Sequence, residues 1–397
     1  MIIIGNRAHY PAIGGVENSI RSLIKIASDK NIPTTIVCRE ALVGEPLGAG
    51  EFELPQNIQL QTYKDDSFYS PIKRLMSMSS GGIVLSKLYE RLYSKCPDAI
   101  VVARHHTHVT AAKAAGFNVV RYLVPSLIRS QLKEEAVGVS WKLRLHFLLH
   151  SIVDGYAQQK AMSNAELFVF SCLMEQQVRQ QMKDSKNLLS IKIVKPGIDP
   201  ARFYVPSGQE KFDLRCKLGL PHSKFLFLFV GRLVKAKGID YLVSAMKDMP
   251  EDCLAVLVGE GEQLPTIEEK INSNGLGHKI IYAGRSSRVE DFYQACDVFV
   301  MSSTYEPLGQ TILESAACGL RIAAFSRSAG VKTATHELDI DHLIDYASTL
   351  DGQGLARAMR RSINTSVSRN NAREKNSAII ESWENLWEML TIKEQAH

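Results

Sequence analysis

Short apolar runs alternate with longer segments of helical period along the whole sequence. The first half contains MIIIG, TTIVC, DAIVVA, NVVRYLV, ELFVFS and IKIVKPG, and the second half contains KFLFLFVG, LAVLVGEG, KIIYAG, DVFVMSS and LRIAAF. Runs that are apolar throughout are typical of parallel strands covered by helices on both faces. Two such sets predict two doubly wound, Rossmann-like α/β domains.

The alternation of predicted strands and helices is interrupted once, at IVKPGIDPARFYVPSGQEKFDL. A chain of 397 residues is too long for one ordinary domain, so this break is the natural boundary. We predict one Rossmann-like domain at residues 1–197 and another at 198–375. The tail at 376–397 contains ESWENLWEML, whose apolar residues have helical spacing, and predicts a helix that packs back on the first domain.

The composition favours a soluble globular protein, with 45% hydrophobic and 22% charged residues. No run approaches the roughly 20 apolar residues of a membrane span, and MIIIGNRAHY is interpreted as a first strand rather than a signal peptide. Seven scattered cysteines without a C-x-x-C pair favour reduced thiols in the cytoplasm.

The net charge of +5 weakly favours an anionic partner, such as a nucleotide, a phosphate or an acidic membrane surface. A nucleic-acid partner is not expected, because no dense basic stripe with interleaved aromatic residues is visible.

Four turns that follow predicted strands have the residues of an anion site. Gly14 and Gly15 precede a predicted helix, whose free N–H groups could meet a phosphate, although a flexible turn is an equal alternative. Arg232 and Lys237 follow the strand FLFLFVG, where a cation pair could neutralise a diphosphate; solvated surface charge is the alternative. Gly259 lies in a G-x-G turn, which is more often a plain connection between strand and helix.

The fourth turn, TYEPLGQTILESAACG, carries two glutamates eight residues apart. If the helix begins near Leu308 or Gly309, Glu306 lies on the loop before it and Glu314 about one and a half turns inside it. The helix N terminus then offers free N–H groups to the crevice at the strand ends. Both carboxylates are expected to reach that crevice.

Several segments together resemble a known family. GGVENSI, IVKPGIDPARF, GRLVKAKGIDYL, LVGEGEQL, YAGR and DVFVMSSTYEPLGQTILESAACGLRIAAF, in this order and spacing, are similar to the family 4 retaining glycosyltransferases, the group 1 glycosyltransferases of the GT-B fold. The resemblance covers nearly the whole chain. It implies two Rossmann-like domains facing a cleft, with the donor on the second domain, the acceptor on the first, and a C-terminal helix that crosses back to the first.

The resemblance assigns roles to individual residues. It implies that Arg232 and Lys237 bind the donor diphosphate, that Glu314 accepts hydrogen bonds from ribose hydroxyls, and that Glu306 contacts hydroxyls of the transferred sugar. The backbone from Leu308 onwards would complete a phosphate cradle, and the loop at Arg285 would lie near the base. Further donor contacts are expected at Gly14, Gly15, Gly259, Arg285, Leu308, Gly309 and Gln310.

The chemistry of these residue types is consistent with such roles. An ionised carboxylate accepts two vicinal hydroxyls, while cations and a helix N terminus stabilise the departing nucleotide diphosphate. The sequence therefore predicts no metal and no further cofactor. The Asp-x-Asp sequence at Asp339 and Asp341 is interpreted as a helix cap followed by an amphipathic helix, with a metal site as the alternative.

Three histidines follow the predicted strand AIVVA at the cleft side of the first domain. A metal site is disfavoured for His105, His106 and His108, because successive loop residues rarely converge on one ion. The histidine that family members commonly carry in the next strand-end loop is missing from VVRYLVPSLIRS. We expect one of the three, with His106 as the choice, to contact the donor sugar or the acceptor; His9 is a weaker candidate.

Two segments mix basic and large apolar residues. SPIKRLMSMSSGGIVLSKLYERLYSK is interpreted as containing a mobile acceptor loop at Gly81 and Gly82, and WKLRLHFLLHSIV as a domain helix with a core face. An interfacial helix on an anionic membrane is the alternative for both. The expected location is therefore the cytoplasm, with possible peripheral contact at the inner face of the cell membrane.

The sequence thus predicts a metal-independent retaining hexosyltransferase with a UDP-sugar or GDP-sugar donor and a glycan or lipid-linked acceptor, acting in cell-surface polysaccharide or lipopolysaccharide assembly. A nucleotide-sugar epimerase or hydrolase on the same fold is one alternative. A non-catalytic glycan-binding or membrane-binding homologue is another.

Overall fold

The computed structural model of the protein describes residues 1–10, 15–41, 54–65, 80–135, 141–182, 191–307, 309–338, 340–365 and 383–392. These residues divide into two compact units between Pro196 and Gly197, and the helix at 383–391 belongs to the first unit. The division falls one residue before the boundary predicted from the sequence.

The first unit is built on a parallel sheet with the strand order β3-β2-β1-β4-β5-β6-β7 among the described residues. The order reverses between β1 and β4, and the crevice beyond the strand ends at such a reversal is where doubly wound folds bind ligands. Its strands are β1 (Ile2–Gly5), β2 (Thr34–Arg39), β3 (Ile58–Tyr63), β4 (Ile100–Ala103), β5 (Val120–Leu123), β6 (Glu166–Val169) and β7 (Ile191–Ile193). Its helices are α1 (Gly15–Asp29), α2 (Ser80–Lys95), α3 (His106–Ala115), α4 (Ile128–Glu135), α5 (Trp141–Met162), α6 (Cys172–Gln181) and, at the other end of the chain, α13 (Trp383–Thr391).

The second unit repeats this plan. Its described sheet has the order β10-β9-β8-β11-β13-β15, again parallel, with the reversal between β8 and β11. The strands are β8 (Phe225–Val230), β9 (Cys253–Val258), β10 (Ile280–Gly284), β11 (Val298–Met301), β13 (Arg321–Phe325) and β15 (Ile344–Ala347), and a separate pair is formed by β12 (Tyr305–Glu306) and β14 (Lys332–Thr333). The helices are α7 (Gly208–Leu218), α8 (Ile239–Met246), α9 (Leu264–Ser273), α10 (Val289–Ala295), α11 (Gln310–Ala317) and α12 (Gly352–Asn364). The predicted doubly wound class is confirmed for both units.

Helix α13 packs against α1 in the first unit. Trp383 and Trp387 are buried, and the Arg121 guanidinium of β5 donates a hydrogen bond of 2.6 Å to the carbonyl of Ile392 just beyond the helix. The same guanidinium bonds Glu166 of β6 at 3.0 Å, so one buried arginine joins two strands to the end of the chain.

Two local predictions were wrong. The segment after Asp341 is a short 3-10 turn at Asp341–Leu343 followed by strand β15, not an amphipathic helix. The backbone of β15 pairs with β13, and its apolar residues Ile344 and Ala347 are buried. Sequence spacing does not reveal this pairing. Gly81 and Gly82 lie inside helix α2 rather than in a loop, while the preceding part of that segment lies outside the described residues.

The prediction for WKLRLHFLLHSIV was also wrong in one respect. The segment is helical, in α5, but its large apolar side chains include Leu145, Leu148 and Ile152, which are exposed rather than turned to a core. The face of α5 that packs against the rest of the unit carries the buried polar residues Asp154 and Gln158, and apolar Ala161 and Met162 near the end of the helix.

Candidate functional site

A charged pair lies where the strand order of the second unit reverses. Lys237 ends a 3-10 turn seven residues beyond β8, and Glu306 ends β12, five residues beyond β11. The Lys237 ammonium donates a hydrogen bond to Oε2 of Glu306 in an ion pair, and both side chains are mostly buried. Because β8 and β11 are neighbours, their separate connections bring a cation and an anion to one crevice.

The connections that carry this pair are held by close backbone contact. Ser302 Oγ donates to the carbonyl of Lys237 at 2.8 Å, and the Thr304 N–H donates to the carbonyl of Ala236 at 2.9 Å. Gly238 has φ +63°, and a Cβ placed there would lie 2.0 Å from the carbonyl oxygen of Ser302. A glycine is therefore required, both for the left-handed backbone and for the close approach.

A second close approach joins the turns after β8 and β9. Gly259 has φ +143°, and a Cβ there would lie 1.9 Å from the carbonyl oxygen of Gly231. The Leu233 N–H donates to the carbonyl of Glu260 at 2.8 Å, which fixes the two turns side by side. Gly259 thus has a structural reason to be glycine, and its predicted nucleotide contact stays a prediction.

The backbone of Glu306 is held in a strand, whereas the sequence predicted a loop. It lies in strand β12, paired with Thr333 of β14, rather than on a loop. Its Oε1 accepts a weak hydrogen bond of 3.4 Å from the N–H of Gly309, which has φ +76° and precedes α11. The helix begins at Gln310, one or two residues later than predicted, and Leu308 lies outside the described residues.

Glu314 lies in the second turn of α11 and is only 4% exposed. Burial raises the pKa of its carboxyl group to about 7, although nearby Tyr293, Arg202 and Gln310 favour the charged form. No hydrogen bond of ordinary geometry joins Tyr293 or Gln310 to Glu314, and within the described structure the Tyr293 hydroxyl and Gln310 Oε1 have no hydrogen-bond partner at all. Two buried polar atoms near one carboxyl therefore have unused hydrogen-bonding capacity, which is unusual in a protein interior.

The remaining predicted donor residues lie on separate turns of the two units. Arg232 directly follows Gly231 at the end of β8, and its side chain is exposed. Arg285 follows β10 and donates to Oε1 of Glu260 at 2.8 Å. Gly15 is the first residue of α1, while Gly14 lies outside the described residues.

The three histidines of the first unit have different surroundings. His108 is fully buried between the hydroxyls of Tyr63 and Tyr89, at 3.3 and 3.0 Å, and burial lowers its pKa to about 3. His105 caps α3, where its Nδ1 accepts from the N–H of Thr107. These positions assign His108 to the core and His105 to the start of a helix.

His106 is also buried, with its Nε2 3.8 Å from Oδ1 of Asp154 in α5. The other carboxylate oxygen of Asp154 is 2.7 Å from Nε2 of His150. The predicted contact of His106 with a donor sugar or acceptor stays a prediction. His9, the weaker candidate, is buried as well.

Sequence reasoning missed Tyr293, Asp154 and the contact between Gly238 and Ser302. Tyr293 lies in VEDFYQAC, which gives only the signal of an ordinary helix, and Asp154 is separated from His106 by 48 positions. A glycine after the G-R-x4-K pattern was the one available hint of the backbone contact at Gly238.

The described residues contain no group of three or more His, Cys, Asp and Glu side chains that could hold a metal ion. Asp341, from the Asp-x-Asp sequence, accepts a hydrogen bond of 2.6 Å from the Tyr346 hydroxyl. Among the described helices, none has both the length and the apolar character needed to cross a membrane.

Comparison with known sequences gives a family match for part of the second unit. Residues 210–377 match the family described as "Glycosyl transferases group 1". This family segment contains Lys237, Glu306 and Glu314 together with the loops that hold them.

Named relatives match mainly through part of their length. The lipopolysaccharide core biosynthesis glycosyltransferase LpsE of Rhizobium meliloti is 33% identical over 147 residues, which cover 37% of this chain and 42% of LpsE. The matches to the first curated relatives span about two fifths of those proteins.

Solved glycosyltransferase structures match over the whole chain. Sucrose-phosphate synthase from Thermosynechococcus elongatus has a TM-score of 0.75 at 19% identity, covering 98% of this chain and 96% of the other. Anabaena HepE in complex with UDP-glucose has a TM-score of 0.72 at 19% identity, covering 98% and 97%. The segment that matches the group 1 glycosyl transferases is thus part of a chain with the GT-B fold.

Proposed function

We propose that the protein is a retaining glycosyltransferase that moves a hexose-type sugar from a nucleotide diphosphate donor to a glycan or lipid-linked acceptor. The observation that carries this proposal is the Lys237–Glu306 pair at the strand-order reversal of the second unit, beside the N terminus of α11. A cation and free N–H groups suit a diphosphate, and a carboxylate suits sugar hydroxyls. The family match of the same segment supports the assignment.

The donor and the pathway class are drawn from named relatives. HepE binds UDP-glucose and LpsE acts in lipopolysaccharide core biosynthesis, so we favour a uridine donor over a guanosine donor and a role in cell-surface polysaccharide or lipopolysaccharide assembly. The seven cysteines are free thiols, which suits a reducing compartment such as the cytoplasm.

Each charged group has a separate task in this proposal. Lys237 and the exposed Arg232 neutralise the negative charge of the diphosphate. Glu306 accepts hydrogen bonds from hydroxyls of the sugar. Glu314 accepts hydrogen bonds from the ribose hydroxyls. The same hydroxyls would also give hydrogen-bond partners to the Tyr293 hydroxyl and to Gln310 Oε1. The base lies towards the turn after β10.

Retention follows if the acceptor approaches from the face that the leaving group occupies. The acceptor oxygen forms a bond to the anomeric carbon as the bond from that carbon to the diphosphate oxygen breaks. The acceptor proton passes to a phosphate oxygen of the departing nucleotide. Developing negative charge on the diphosphate is stabilised by Lys237, Arg232 and the N terminus of α11, so the proposed reaction needs no metal.

A donor screen followed by turnover tests the proposal. A thermal-shift series over UDP, GDP and their sugars should single out one donor, because a ligand raises the unfolding midpoint according to its affinity and concentration. With that donor and a matching acceptor, Lys237→Ala and Glu306→Ala should each lower kcat/KM by about 10²–10³-fold.

The matched control is Lys235→Ala. Lys235 lies in the same 3-10 turn as Lys237, but its ammonium bonds the carboxylate of Asp240 at 3.2 Å. Near wild-type transfer by the Lys237 and Glu306 variants would refute the proposed roles. Complete conversion of the donor sugar without acceptor would identify an epimerase, and stoichiometric release of free sugar a hydrolase.

A further inference from the structure

Helix α5 (Trp141–Met162) turns its polar side chains towards the first unit. Gln158 is buried, donates to the carbonyl of Ser126 at 2.8 Å and accepts from the N–H of Ile128 at 3.0 Å. Asp154 is buried beside His106. The inward face of α5 is therefore held by hydrogen bonds and an acid–imidazole contact at Asp154 and Gln158, and by the buried apolar side chains of Ala161 and Met162 at its C-terminal end.

The outward face of α5 is apolar over most of its length. At roughly 100° per residue, the exposed large side chains fall within an arc of roughly 100° that extends for about 22 Å along the axis. Apolar patches of this continuity on a protein surface mark interaction sites. The six side chains are between 42% and 71% exposed: Trp141, Leu145, Leu148, Leu149, Ile152 and Tyr156.

The charges that border this apolar face are basic. Arg144 and Lys160 are exposed and lie on its two sides at helical spacing, while the acidic residue of α5, Asp154, is buried on the opposite face. An approaching surface therefore meets apolar side chains between positive charges. Such complementarity fits an anionic partner with an apolar interior.

The ends of the apolar face carry aromatic residues with a polar atom. Trp141 lies in the first turn and Tyr156 near the last, with leucine and isoleucine between them. Tryptophan and tyrosine prefer the boundary between water and lipid, because one end of each ring system is apolar and the other is polar. The face lies along one side of a single continuous helix, which suits a plane.

We propose that this outward face of α5 rests on the surface of an anionic lipid bilayer, with the helix lying in the plane of the membrane. The leucine and isoleucine side chains enter the boundary between headgroups and acyl chains, and Arg144 and Lys160 contact lipid phosphates. The inference uses only the first unit and does not depend on the proposed transferase activity.

Vesicle flotation of the full chain tests the proposal. Wild-type protein should float with phosphatidylcholine vesicles that contain phosphatidylglycerol, less with pure phosphatidylcholine, and less at high salt because screening weakens the charge attraction. The double variant Leu148→Ser with Ile152→Ser should lower the vesicle partition coefficient by about tenfold or more. Arg144→Glu with Lys160→Glu should abolish the preference for anionic vesicles.

The matched control is Phe212→Ser, which removes an exposed apolar side chain from α7 in the second unit and should leave flotation unchanged. All substituted side chains are exposed, so circular dichroism and the unfolding midpoint should stay close to wild type. Binding by wild type that neither double variant reduces would overturn the proposal.

Tryptophan fluorescence supplies an independent readout. The chain has three tryptophans, of which Trp383 and Trp387 are buried, so a blue shift on adding anionic vesicles should come from Trp141. Trp141→Phe should remove the shift while most of the flotation remains. Absence of any vesicle binding would refute the proposal, as would a concentration-dependent dimer that Leu148→Ser with Ile152→Ser converts to monomer, because the face would then bind a second copy.

Discussion

The two units share one strand order but handle charge at their strand ends differently. In the second unit, Lys237 and Glu306 pair with each other at the reversal point, where a ligand can exchange with either partner. In the first unit, Arg104 directly follows β4 at the equivalent place and is 1% exposed. Its Nη1 donates to the carbonyl of Leu123 at 2.8 Å, and burial lowers its pKa to about 10.

One buried titratable residue in each unit, His108 and Glu314, extends the comparison. His108 is held neutral between two tyrosine hydroxyls in the first unit, whereas Glu314 in the second unit is poised near neutral pH beside groups with unused hydrogen bonds. In the first unit, Arg104 and His108 bond to neighbouring elements of that unit, although Nε and Nη2 of Arg104 have no hydrogen-bond partner within the described structure. In the second unit, Lys237, Glu306 and Glu314 lie within the segment that matches the glycosyl transferase family, and on that ground we assign the donor chemistry to this unit.

The largest expected effect on stability tests the loop geometry of the second unit. Gly238 and Gly219 have nearly the same φ, +63° and +64°, but only the Cβ at Gly238 would meet a neighbour, the Ser302 carbonyl. Gly238→Ala should lower the free energy of unfolding by about 4 kcal/mol more than Gly219→Ala. Both variants strain a left-handed backbone, but only the Cβ at position 238 clashes with the Ser302 carbonyl. Denaturant titration measures the difference. Equal losses would show that the two connections are not locked together.

The second prediction concerns Glu314 and has a defined sign. Its folded pKa of about 7 lies above the ordinary 4.5, so the folded state retains a proton that the unfolded state releases, and stability falls as pH rises from 4.5 through 7. Glu314→Gln should be more stable than wild type by roughly 3 kcal/mol at about pH 8, with little difference at about pH 4.

Denaturant titrations at the two pH values measure this effect. Glu262→Gln, at an exposed glutamate of the same unit, is the control and should show no such pH dependence. If Glu314→Gln were equally or less stable than wild type at the higher pH, the carboxyl would already be satisfied within the fold, and the contrast between the units would lose its main support.

The third prediction has the opposite sign and tests the first unit. Because the pKa of His108 is lowered from 6.5 to about 3, the unfolded state takes up a proton first, and stability present above pH 6.5 is lost as pH falls. At about pH 5 this one residue should cost the wild type about 2 kcal/mol relative to neutral pH.

His108→Gln should remove this acid sensitivity while lowering stability at neutral pH, since the new side chain fits the tyrosine pair less well. His278→Gln changes an exposed histidine and is the control. Hydrogen exchange resolved by unit should show the acid response in the first unit. A response confined to the second unit would contradict the contrast.

Much of the fold could be predicted because most strands are buried on both faces and are therefore apolar throughout. In the two large sheets, the strands missed from the sequence are β3 and β15, which are edge strands: IQLQTY alternates and IDYA carries an aspartate. Edge strands need less apolar surface, so their sequences resemble loops or amphipathic helices. The error at Asp341 has this cause.

The site could be predicted in part. Lys237, Glu306 and Glu314 were identified because each follows a buried strand or opens a helix, and such local context is visible in sequence. Tyr293 in α10 lies near Glu314 in α11 and affects the pKa of its carboxyl group. Because the two residues belong to separate helices, periodicity does not reveal their proximity. Periodicity also does not say which face of α5 points inwards, so the assignment of its apolar residues to a core was wrong.

The central claim is that Lys237 binds the diphosphate of the donor and Glu306 its sugar. Titration calorimetry with a nucleoside diphosphate and with the corresponding nucleotide sugar tests it most directly, using wild type, Lys237→Ala and Glu306→Gln. The account predicts that Lys237→Ala weakens both ligands by similar factors, whereas Glu306→Gln weakens only the nucleotide sugar, by about tenfold or more. Equal weakening of both ligands by Glu306→Gln, or unchanged diphosphate binding by Lys237→Ala, would contradict it.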